Sequence, residues 1–347
     1  MAADPLTGVG AFRPPRLLQN RHLQSVLGNL PPQGWLIRRR AAAVLAASRE
    51  LMLDCGDGVR LQGFLAAAPP ARRAGESPRL AVLLHGWEGS ADSSYVLSCA
   101  ALLFQRGYGI LRLNLRDHGG TQALNRELFH SCRLPEVVGA IGAASLQAPR
   151  ARLYLGGFSL GANFMLRVAA DPGAPAAVAG VVAISPVLEP EATLVALERG
   201  LALYRRYFVR RWSRSLRIKQ RAWPDSHDFD DLLRSQDLRQ MTAELVARCT
   251  DYGSLQAYLE GYAVTGERLA TLSASARILL ALDDPIIPAA DLQHLRANPR
   301  LQIVRTEHGG HCGFMDRWGA PSYADRYMLE QFDLFSGPSR EAQPRQR

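Results

Sequence analysis

Lysine is nearly absent from this chain of 347 residues. Of its 41 basic residues only Lys219 is a lysine, so arginine carries almost all of the positive charge, and the formal net charge is +9. The arginines are scattered, apart from one stretch, and no motif that reads DNA or RNA accompanies them. The positive charge therefore does not indicate nucleic-acid binding, and we expect no nucleic-acid partner.

Cysteines and long apolar runs are also scarce. The five cysteines are widely spaced and include no C-x-x-C pair, which argues against a disulfide framework or a zinc site and fits a reducing compartment. No apolar run is long enough to span a bilayer, and the first residues lack the apolar core of a signal peptide. The alanine-rich run at 38–47 is expected to be surface and linker. These absences predict a cytoplasmic protein.

What the chain does contain is a regular alternation of apolar runs and helical periods. Hydrophobic residues make up 47% of the sequence, which is enough for a large core. Strand-like runs lie at 80–86, 110–115, 151–158, 180–186, 276–285 and 301–306. Segments with helical spacing lie between them, at 93–106, 135–145 and 160–170. This alternation predicts an α/β fold with a mostly parallel, doubly wound sheet, and the runs at 50–54 and 60–66 predict an antiparallel edge.

One interval breaks the alternation and divides the chain. Residues 188–275 contain helical, basic and aromatic sequence without a clear strand, which is too long for an ordinary connection and predicts an inserted helical cap. The expected organisation is an N-terminal extension packing on the core (1–48), a first core part (49–187), the cap (188–275), a second core part (276–336) and a disordered tail (337–347).

A single serine stands between glycines at the end of one strand-like run. Gly157, Ser159 and Gly161 match the pattern G-x-S-x-G, with a strand-like run before the serine and a helix-like run after it. Strand, sharp turn and helix are the context in which this pattern forms a nucleophile elbow. The alternative is a glycine turn that is only structural or binds a phosphate-like group. The context favours Ser159 as a nucleophile.

A serine hydroxyl needs a base within hydrogen-bond reach and a group that orients the base. After an elbow serine the acid comes next along the chain, followed by the histidine. One later run ends in Asp283 and Asp284, and the next is followed by His308 and His311. Asp284 directly precedes a proline turn and is the predicted acid, with a structural role for Asp283. His311 follows a Gly-Gly pair that lets the loop fold back, so it is the predicted base, while His308 is expected to pack or contact solvent.

The tetrahedral intermediate of acyl transfer needs two backbone N–H donors for its oxyanion. Leu160, the residue after the nucleophile, is expected to supply one of them. The other is expected from Trp87, in the loop that begins with His85 and Gly86. The alternative is that His85 and Gly86 only close a turn. This chemistry requires no metal and no organic cofactor.

Ten stretches together resemble a known family. They are FRPPRLLQNRHLQSVL (12–27), HGWEGSADSSY (85–95), LRLNLRDHGGTQALNRELFHS (111–131), GFSLGANFMLR (157–167), AISPV (183–187), LYRRYFVR (203–210), FDD (229–231), DYGSLQAYLEGYA (251–263), ALDDPIIP (281–288) and HGGHCGF (308–314). The chain resembles the α/β-hydrolase fold and, more closely, the YheT-like group, which includes abhydrolase-domain esterases and phospholipases.

The resemblance implies a Ser159, Asp284 and His311 triad with esterase or lipase-like activity on a small-molecule ester or lipid. The chain departs from the family pattern at two positions. Asp117 and Ala162 stand where the family usually has glycine, which bears on the shape of the pocket rather than on the triad. Acyl transfer by the same triad and a catalytically idle fold used for binding are the alternatives. The complete triad disfavours the idle fold, and a serine in place of aspartate disfavours halide or epoxide chemistry.

The stretch at 202–223 contains eight basic residues and no acid, with Tyr204, Phe208, Trp212 and Leu216 recurring every four residues. One interpretation is a basic amphipathic helix that contacts anionic membrane lipid. The other is a cap helix that buries its aromatic stripe on the core and exposes its arginines to water. The second is favoured because stripes at helical spacing usually face a core.

Overall fold

The computed structural model describes the backbone of residues 7–9 and all of residues 12–28, 30–68 and 77–337. Within these residues nine strands form one sheet. They are β1 (Thr7–Val9), β2 (Ser48–Asp54), β3 (Arg60–Ala66), β4 (Arg79–Leu84), β5 (Gly109–Leu113), β6 (Arg152–Phe158), β7 (Val178–Ile184), β8 (Ser275–Ala281) and β9 (Leu301–Thr306). The tail predicted to be disordered lies, from residue 338 onward, outside the described residues.

The strand order is β1-β9-β8-β7-β6-β4-β5-β3-β2. All neighbours from β1 to β5 in this order are parallel. Strand β3 is antiparallel to both β5 and β2. The mostly parallel sheet with an antiparallel edge at 50–54 and 60–66 is thus confirmed. The sequence did not indicate β1, which pairs with β9 at the opposite edge.

Eleven helices lie within the described residues and cover both faces of the sheet. They are α1 (Arg21–Leu27), α2 (Gln33–Arg40), α3 (Ala42–Ala46), α4 (Ser94–Gln105), α5 (Leu134–Gln147), α6 (Leu160–Ala170), α7 (Pro190–Arg199), α8 (Ala202–Ala222), α9 (Leu238–Cys249), α10 (Leu255–Gly261) and α11 (Tyr323–Phe335). The run at 38–47, expected to be surface and linker, is instead helical in α2 and α3.

The apolar side chains of β4 show why the sheet is covered on both faces. Leu80, Val82 and Leu84 belong to a buried cluster shared with α5, α6 and the helices α7–α10. Ala81 and Leu83, which point to the opposite face because strand side chains alternate, belong to a second cluster shared with α3, α4 and α11. A continuous apolar run is therefore the signature of a strand buried on both sides.

The interval between β7 and β8 is fully described and contains no strand. It holds α7, α8, α9 and α10, and the longest connection between them, residues 223–237, contains a 3-10 helix at Leu232–Arg234. Helix α8 packs against the core through one face. On that face Tyr204 and Leu216 are buried, and Phe208 and Trp212 are partly buried. The aromatic stripe read from the sequence therefore packs inward.

The last helix, α11, was not named from the sequence, although its start carries a recognisable signal. Ser322 accepts a hydrogen bond from the backbone N–H of Asp325, and Asp325 accepts one from the backbone N–H of Ser322. This reciprocal pair is a capping box, which satisfies two N–H groups that a helix start leaves free. Met328 and Phe332 on the same helix are fully buried against the sheet.

Candidate active site

The four segments expected to supply a site all leave the sheet at the carboxyl ends of parallel strands. Gly86 and Trp87 follow β4, Ser159 follows β6, Asp284 follows β8, and His311 lies in the loop after β9. Loops at this edge of a doubly wound sheet converge outside the sheet, which is where such folds bind ligands. The topology therefore brings together residues that are far apart in sequence.

Ser159 occupies a sharp turn between β6 and α6. Its backbone φ of 54° and ψ of −120° lie in a region that costs a non-glycine residue about 1–3 kcal/mol. The turn is tight because a Cβ at Gly157 would lie 2.5 Å from the carbonyl oxygen of Gly161, and one at Gly161 would lie 2.5 Å from that of Leu84. Both glycines of the pattern are thus required by close backbone approach.

The side chains of Ser159, His311 and Asp284 form a hydrogen-bonded series. The Nε2 atom of His311 lies 3.0 Å from Ser159 Oγ, and its Nδ1 atom lies 2.9 Å from Asp284 Oδ2. Asp284 Oδ1 accepts hydrogen bonds from the backbone N–H groups of Ile286 and Ile287, at 2.9 and 3.0 Å. These two bonds fix the carboxylate, and the carboxylate fixes the imidazole ring.

The neighbouring acid and histidine form a separate pair. Asp283 Oδ1 accepts a hydrogen bond from Gly310 N at 2.9 Å, and its Oδ2 lies 3.6 Å from His308 Nδ1. Asp283 therefore supports the loop that carries His311, whereas Asp284 contacts His311 directly. Both acids follow the end of β8 at Ala281, and Asp284 is the one whose carboxylate is held by the N–H groups of the turn after it, at Ile286 and Ile287.

The protonated form of the His311 ring is more stable in this site than it would be in water. Burial is the largest single effect and acts against the charged imidazolium, but Asp284 and Cys312 together outweigh it and raise the pKa of His311 well above its usual value of 6.5. Asp284 thus holds the ring in place and favours its protonated form.

The loop after β4 is held by a buried neutral histidine. His85 donates from Nδ1 to the carbonyl oxygen of Gly86 at 2.7 Å, and its Nε2 accepts from the backbone N–H of Leu115 at 3.2 Å. Burial lowers the pKa of His85 to about 3, so the ring stays neutral and keeps both bonds. Glycine at position 86 avoids crowding the nucleophile turn, because a Cβ there would lie 3.0 Å from Ser159 Cβ. His85 thus fixes the start of the loop that carries Trp87.

Trp87 and Leu160, the two expected oxyanion donors, flank Ser159. Leu160 is the first residue of α6, where backbone N–H groups have no partner within the helix. Both residues line the cavity that contains Ser159 and His311. The Trp87 indole stacks on Phe208 of α8, with ring centroids 5.2 Å apart and an interplanar angle of 8°. Trp212 meets the same indole edge-on at 5.1 Å.

The next residue of this loop is also held by α8. Arg211 donates from Nη2 to the backbone carbonyl of Glu88 at 2.5 Å. Glu88 has a φ of 55°, and burial raises the pKa of its carboxyl group to about 7. Helix α8 therefore holds this loop through two contacts. Phe208 stacks on the Trp87 indole, and Arg211 donates a hydrogen bond to the carbonyl oxygen of Glu88.

The cavity beside Ser159 measures about 1020 Å³ and is lined mainly by apolar side chains. Contributors come from the core, from the interval between β7 and β8, and from the N-terminal helices. They include Trp35, Phe129, Val187, Leu194, Leu197, Tyr204, Phe208, Leu238 and Ile286. A space of this size and character can hold an extended apolar group next to the serine.

Lys219, the lysine singled out by composition, is completely buried. Its ammonium group lies 2.9 Å from Asp117 Oδ1 and donates to the carbonyl oxygens of Gln122, Asn125 and Glu127. Burial raises the pKa of Asp117 and lowers that of Lys219, each in the direction that disfavours the charge. Asp117 therefore pairs with Lys219 of α8 and links this helix to the loop that follows β5. It is one of the two positions that depart from the pattern of the family that the sequence resembles.

Two residues that support the site were not identified from the sequence. Ser25 of α1 accepts a hydrogen bond from the backbone N–H of His311 at 2.9 Å. The Gln24 side chain, fully buried, bonds both the backbone N–H and the carbonyl of Met315, at 2.8 and 2.9 Å. Both lie in the first of the ten stretches that carry the family resemblance, residues 12–27.

Comparisons with known proteins assign this fold to a family. A family model described as "alpha/beta hydrolase fold" matches residues 81–317. The chain belongs to the α/β-hydrolase family. The match begins within β4 and ends after the loop that carries His311. It therefore spans every segment of the candidate site except α1, which contains Gln24 and Ser25.

Three relatives place this α/β-hydrolase in the YheT-like branch. Escherichia coli "Putative esterase YheT" is 25% identical over 90% of this chain and 89% of its own length. Mouse "Phospholipase ABHD3" is 24% identical over 72% of this chain, and human "Protein ABHD15" is 24% identical over 68%. The chain spans 62% of the length of the former and 51% of the latter. The family is thus esterase- and lipase-like.

Solved structures share the fold at low sequence identity. The Pyrococcus furiosus esterase Pf2001 is 15% identical with a TM-score of 0.55, covering 95% of this chain and all of that one. A 2,6-dihydroxy-pseudo-oxynicotine hydrolase is 16% identical with a TM-score of 0.53, covering 86% of this chain and 70% of its own. Among the described helices, none combines the length and the apolar character needed to cross a bilayer.

Proposed function

We propose that this α/β-hydrolase is a serine esterase. Its substrates are carboxylic esters with short- to medium-chain acyl groups, or acylglycerol-type lipids. The observation that carries the proposal is the position of His311, which lies within hydrogen-bond reach of Ser159 Oγ on one side and of the Asp284 carboxylate on the other. A nucleophile, its base and an orienting acid in this order form the constellation that serves acyl transfer.

The proposed reaction has two halves. His311 Nε2 takes the Ser159 proton as Oγ attacks the ester carbonyl, and the imidazolium then gives that proton to the departing alcohol. Water enters, His311 removes its proton, and the acid leaves Ser159. Asp284 holds the imidazole in the required tautomer throughout, and the Trp87 and Leu160 N–H groups stabilise the oxyanion of each tetrahedral intermediate.

The substrate class is supported by the cavity. Its volume of about 1020 Å³ and mainly apolar lining suit an acyl chain, and residues 188–275 are proposed as a cap that closes over it. We also propose a cytoplasmic location, because the five cysteines are free and a reducing compartment maintains free thiols.

The proposal is tested with p-nitrophenyl esters from acetate to palmitate, using wild type beside Ser159→Ala. We expect hydrolysis with a maximum at a medium chain length, and a loss of about 10⁶-fold in kcat in the variant, because no other group replaces the nucleophile. Equal activity of the two proteins would remove Ser159 from the role. A wild type inactive on every ester would contradict the esterase assignment.

A second prediction concerns Trp87 as an oxyanion donor. Phe208→Ala removes the ring that stacks on the Trp87 indole. We expect kcat to fall about 10- to 100-fold on acetate and on longer esters alike, since a small misplacement of a catalytic group is costly for any substrate. Ile218→Ala, on the exposed face of the same helix, is the matched control and should retain activity.

The chain-length comparison separates this role from acyl-chain binding. If Phe208 only lined the cavity, acetate hydrolysis would be unchanged and longer esters alone would suffer. That pattern would rule out positioning of Trp87 by α8.

A further inference from the structure

The outward face of α8 carries arginine in an arrangement that the proposed reaction does not use. The helix contains seven arginines, Lys219 and no acidic residue. Six of the arginines are exposed. Arg211 donates to the carbonyl oxygen of Glu88, and the other five are Arg206, Arg210, Arg214, Arg217 and Arg221. At 3.6 residues per turn they fall, together with Leu203 and Tyr207, within about a third of the helix circumference. They form a strip about 27 Å long, which we call the arginine face.

The charges of the arginine face are not neutralised within the described part of the molecule. None of its five arginines has an ion pair or a side-chain hydrogen bond with a described residue. Exposed arginines elsewhere do find carboxylates: Arg234 pairs with Asp231, and Arg248 pairs with Glu244. Like charges three or four positions apart destabilise a helix, so this face carries a cost that an anionic partner would remove. The nearest acids in sequence, from Asp225 onward, follow the end of the helix.

The apolar end of this face lies at the opening of the active-site cavity. Leu203 and Tyr207 are 63% and 50% exposed, and both line the cavity that contains Ser159. Leu30 and Trp35, from the N-terminal segment, are also exposed and line the same cavity. Arg39 stacks on Trp35, with its guanidinium carbon 5.6 Å from the ring centroid. Both sides of the opening thus combine exposed apolar side chains with arginine.

We propose that the arginine face and the cavity opening together dock on an anionic phospholipid surface. The arginines would contact lipid phosphates, and Leu203, Tyr207, Leu30 and Trp35 would enter the interfacial layer. Basic side chains beside exposed aromatic and aliphatic groups are the combination that binds the surface of a negatively charged bilayer. A nucleic acid would use the arginines but would gain nothing from exposed leucines, so the apolar rim favours lipid.

This docking deepens the proposed function, because it would present the cavity directly to a lipid ester. The surface itself does not depend on catalysis. Vesicle binding is therefore measured with Ser159→Ala, which cannot consume the lipid by the proposed route. Failure of the docking proposal is thereby distinguished from failure of the esterase proposal, which is measured on soluble esters.

The test is co-sedimentation with vesicles of phosphatidylcholine, with and without phosphatidylglycerol, at low and high salt. We expect binding to the anionic vesicles only, weakened by salt. Arg210→Gln combined with Arg214→Gln should lower the partition coefficient about thirtyfold, given the contribution of each arginine near an anionic surface. The matched control is Arg106→Gln combined with Arg150→Gln, which removes the same charge at the opposite end of the sheet and should bind as the parent does.

Leu203→Ser tests the apolar part and should weaken binding to the anionic vesicles without changing its dependence on salt. The proposal is overturned if the parent protein does not sediment with anionic vesicles at low salt, or if both arginine pairs reduce binding equally. It is also overturned if a single-stranded oligonucleotide binds more tightly than the vesicles and through the same two arginines.

Discussion

Asp284→Asn is expected to lower kcat about 10⁴-fold while the fold stays intact. The reason lies in the two oxygens of the carboxylate. Oδ1 accepts two backbone N–H groups, from Ile286 and Ile287, and an amide oxygen can replace it there. The amide NH₂ must then face His311 Nδ1, where Oδ2 now lies at 2.9 Å. It would donate to Nδ1 and force the proton onto Nε2, the atom that must accept the Ser159 proton.

Steady-state kinetics on a p-nitrophenyl ester measures this loss, and circular dichroism checks the fold. Asp283→Asn is the matched control, because asparagine can still accept the hydrogen bond from Gly310 N. It should change kcat by less than about tenfold, as expected for a residue that only supports a loop. A larger loss in Asp283→Asn than in Asp284→Asn would reverse the assignment of the two acids.

The same pair of residues predicts the dependence of activity on pH. Only the neutral imidazole of His311 can accept a proton, so kcat/KM should rise with pH through the pKa of His311 in the free enzyme. Because Asp284 and Cys312 together outweigh burial and raise that pKa, the inflection is expected above 6.5. The residual activity of Asp284→Asn should have its inflection at lower pH. An unchanged inflection would show that Asp284 does not set the pKa of His311.

Lys219→Met is expected to lower the free energy of unfolding by about 3–5 kcal/mol. The substitution leaves the Asp117 carboxylate buried without its partner, and it also removes the donor for three backbone carbonyls. Urea-induced unfolding at neutral pH measures the change. Arg221→Met, on the exposed face of the same helix, should change the unfolding free energy by less than about 0.5 kcal/mol.

A second substitution separates the buried charge from the lost hydrogen bonds. Asp117→Asn removes the charge, keeps an acceptor for Phe129 N, and suits the φ of 59° at this position. Combined with Lys219→Met it should recover about 1–2 kcal/mol of the loss, the remainder being the cost of the unsatisfied carbonyls. A double variant less stable than Lys219→Met alone would contradict the account of a coupled buried pair.

The parts of the fold with strong local patterns were predictable. The continuous apolar run of β4 indicated a strand buried on both faces, and the helical period at 160–170 matches the bounds of α6. β1 was not predictable, because it has three residues and its pairing with β9 is set by the tertiary structure. The start of α11 does carry a local pattern, because Ser322 and Asp325 have the spacing of a capping box.

The candidate site shows the same division between local and long-range information. Ser159, Asp284 and His311 each follow a recognisable strand, so chain order and turn residues were enough to select them, and the structure brings the three together. The support from Ser25 links positions 286 residues apart, and the Lys219–Asp117 pair links positions 102 residues apart. No local pattern encodes such contacts. The composition shows that Lys219 is unusual. The reason for a lysine at this position, its buried contacts with Asp117 and three carbonyl oxygens, is visible only in the structure.

The most direct test of the account is the reaction of the protein with a fluorophosphonate, followed by mass spectrometry of its peptides. This reagent forms a covalent bond with a serine oxygen that a neighbouring base has activated. The account predicts one adduct, on Ser159, in the wild type and none in Ser159→Ala. An adduct that persists in Ser159→Ala, or a wild type that remains unlabelled, would contradict the claim that Ser159 is an activated nucleophile.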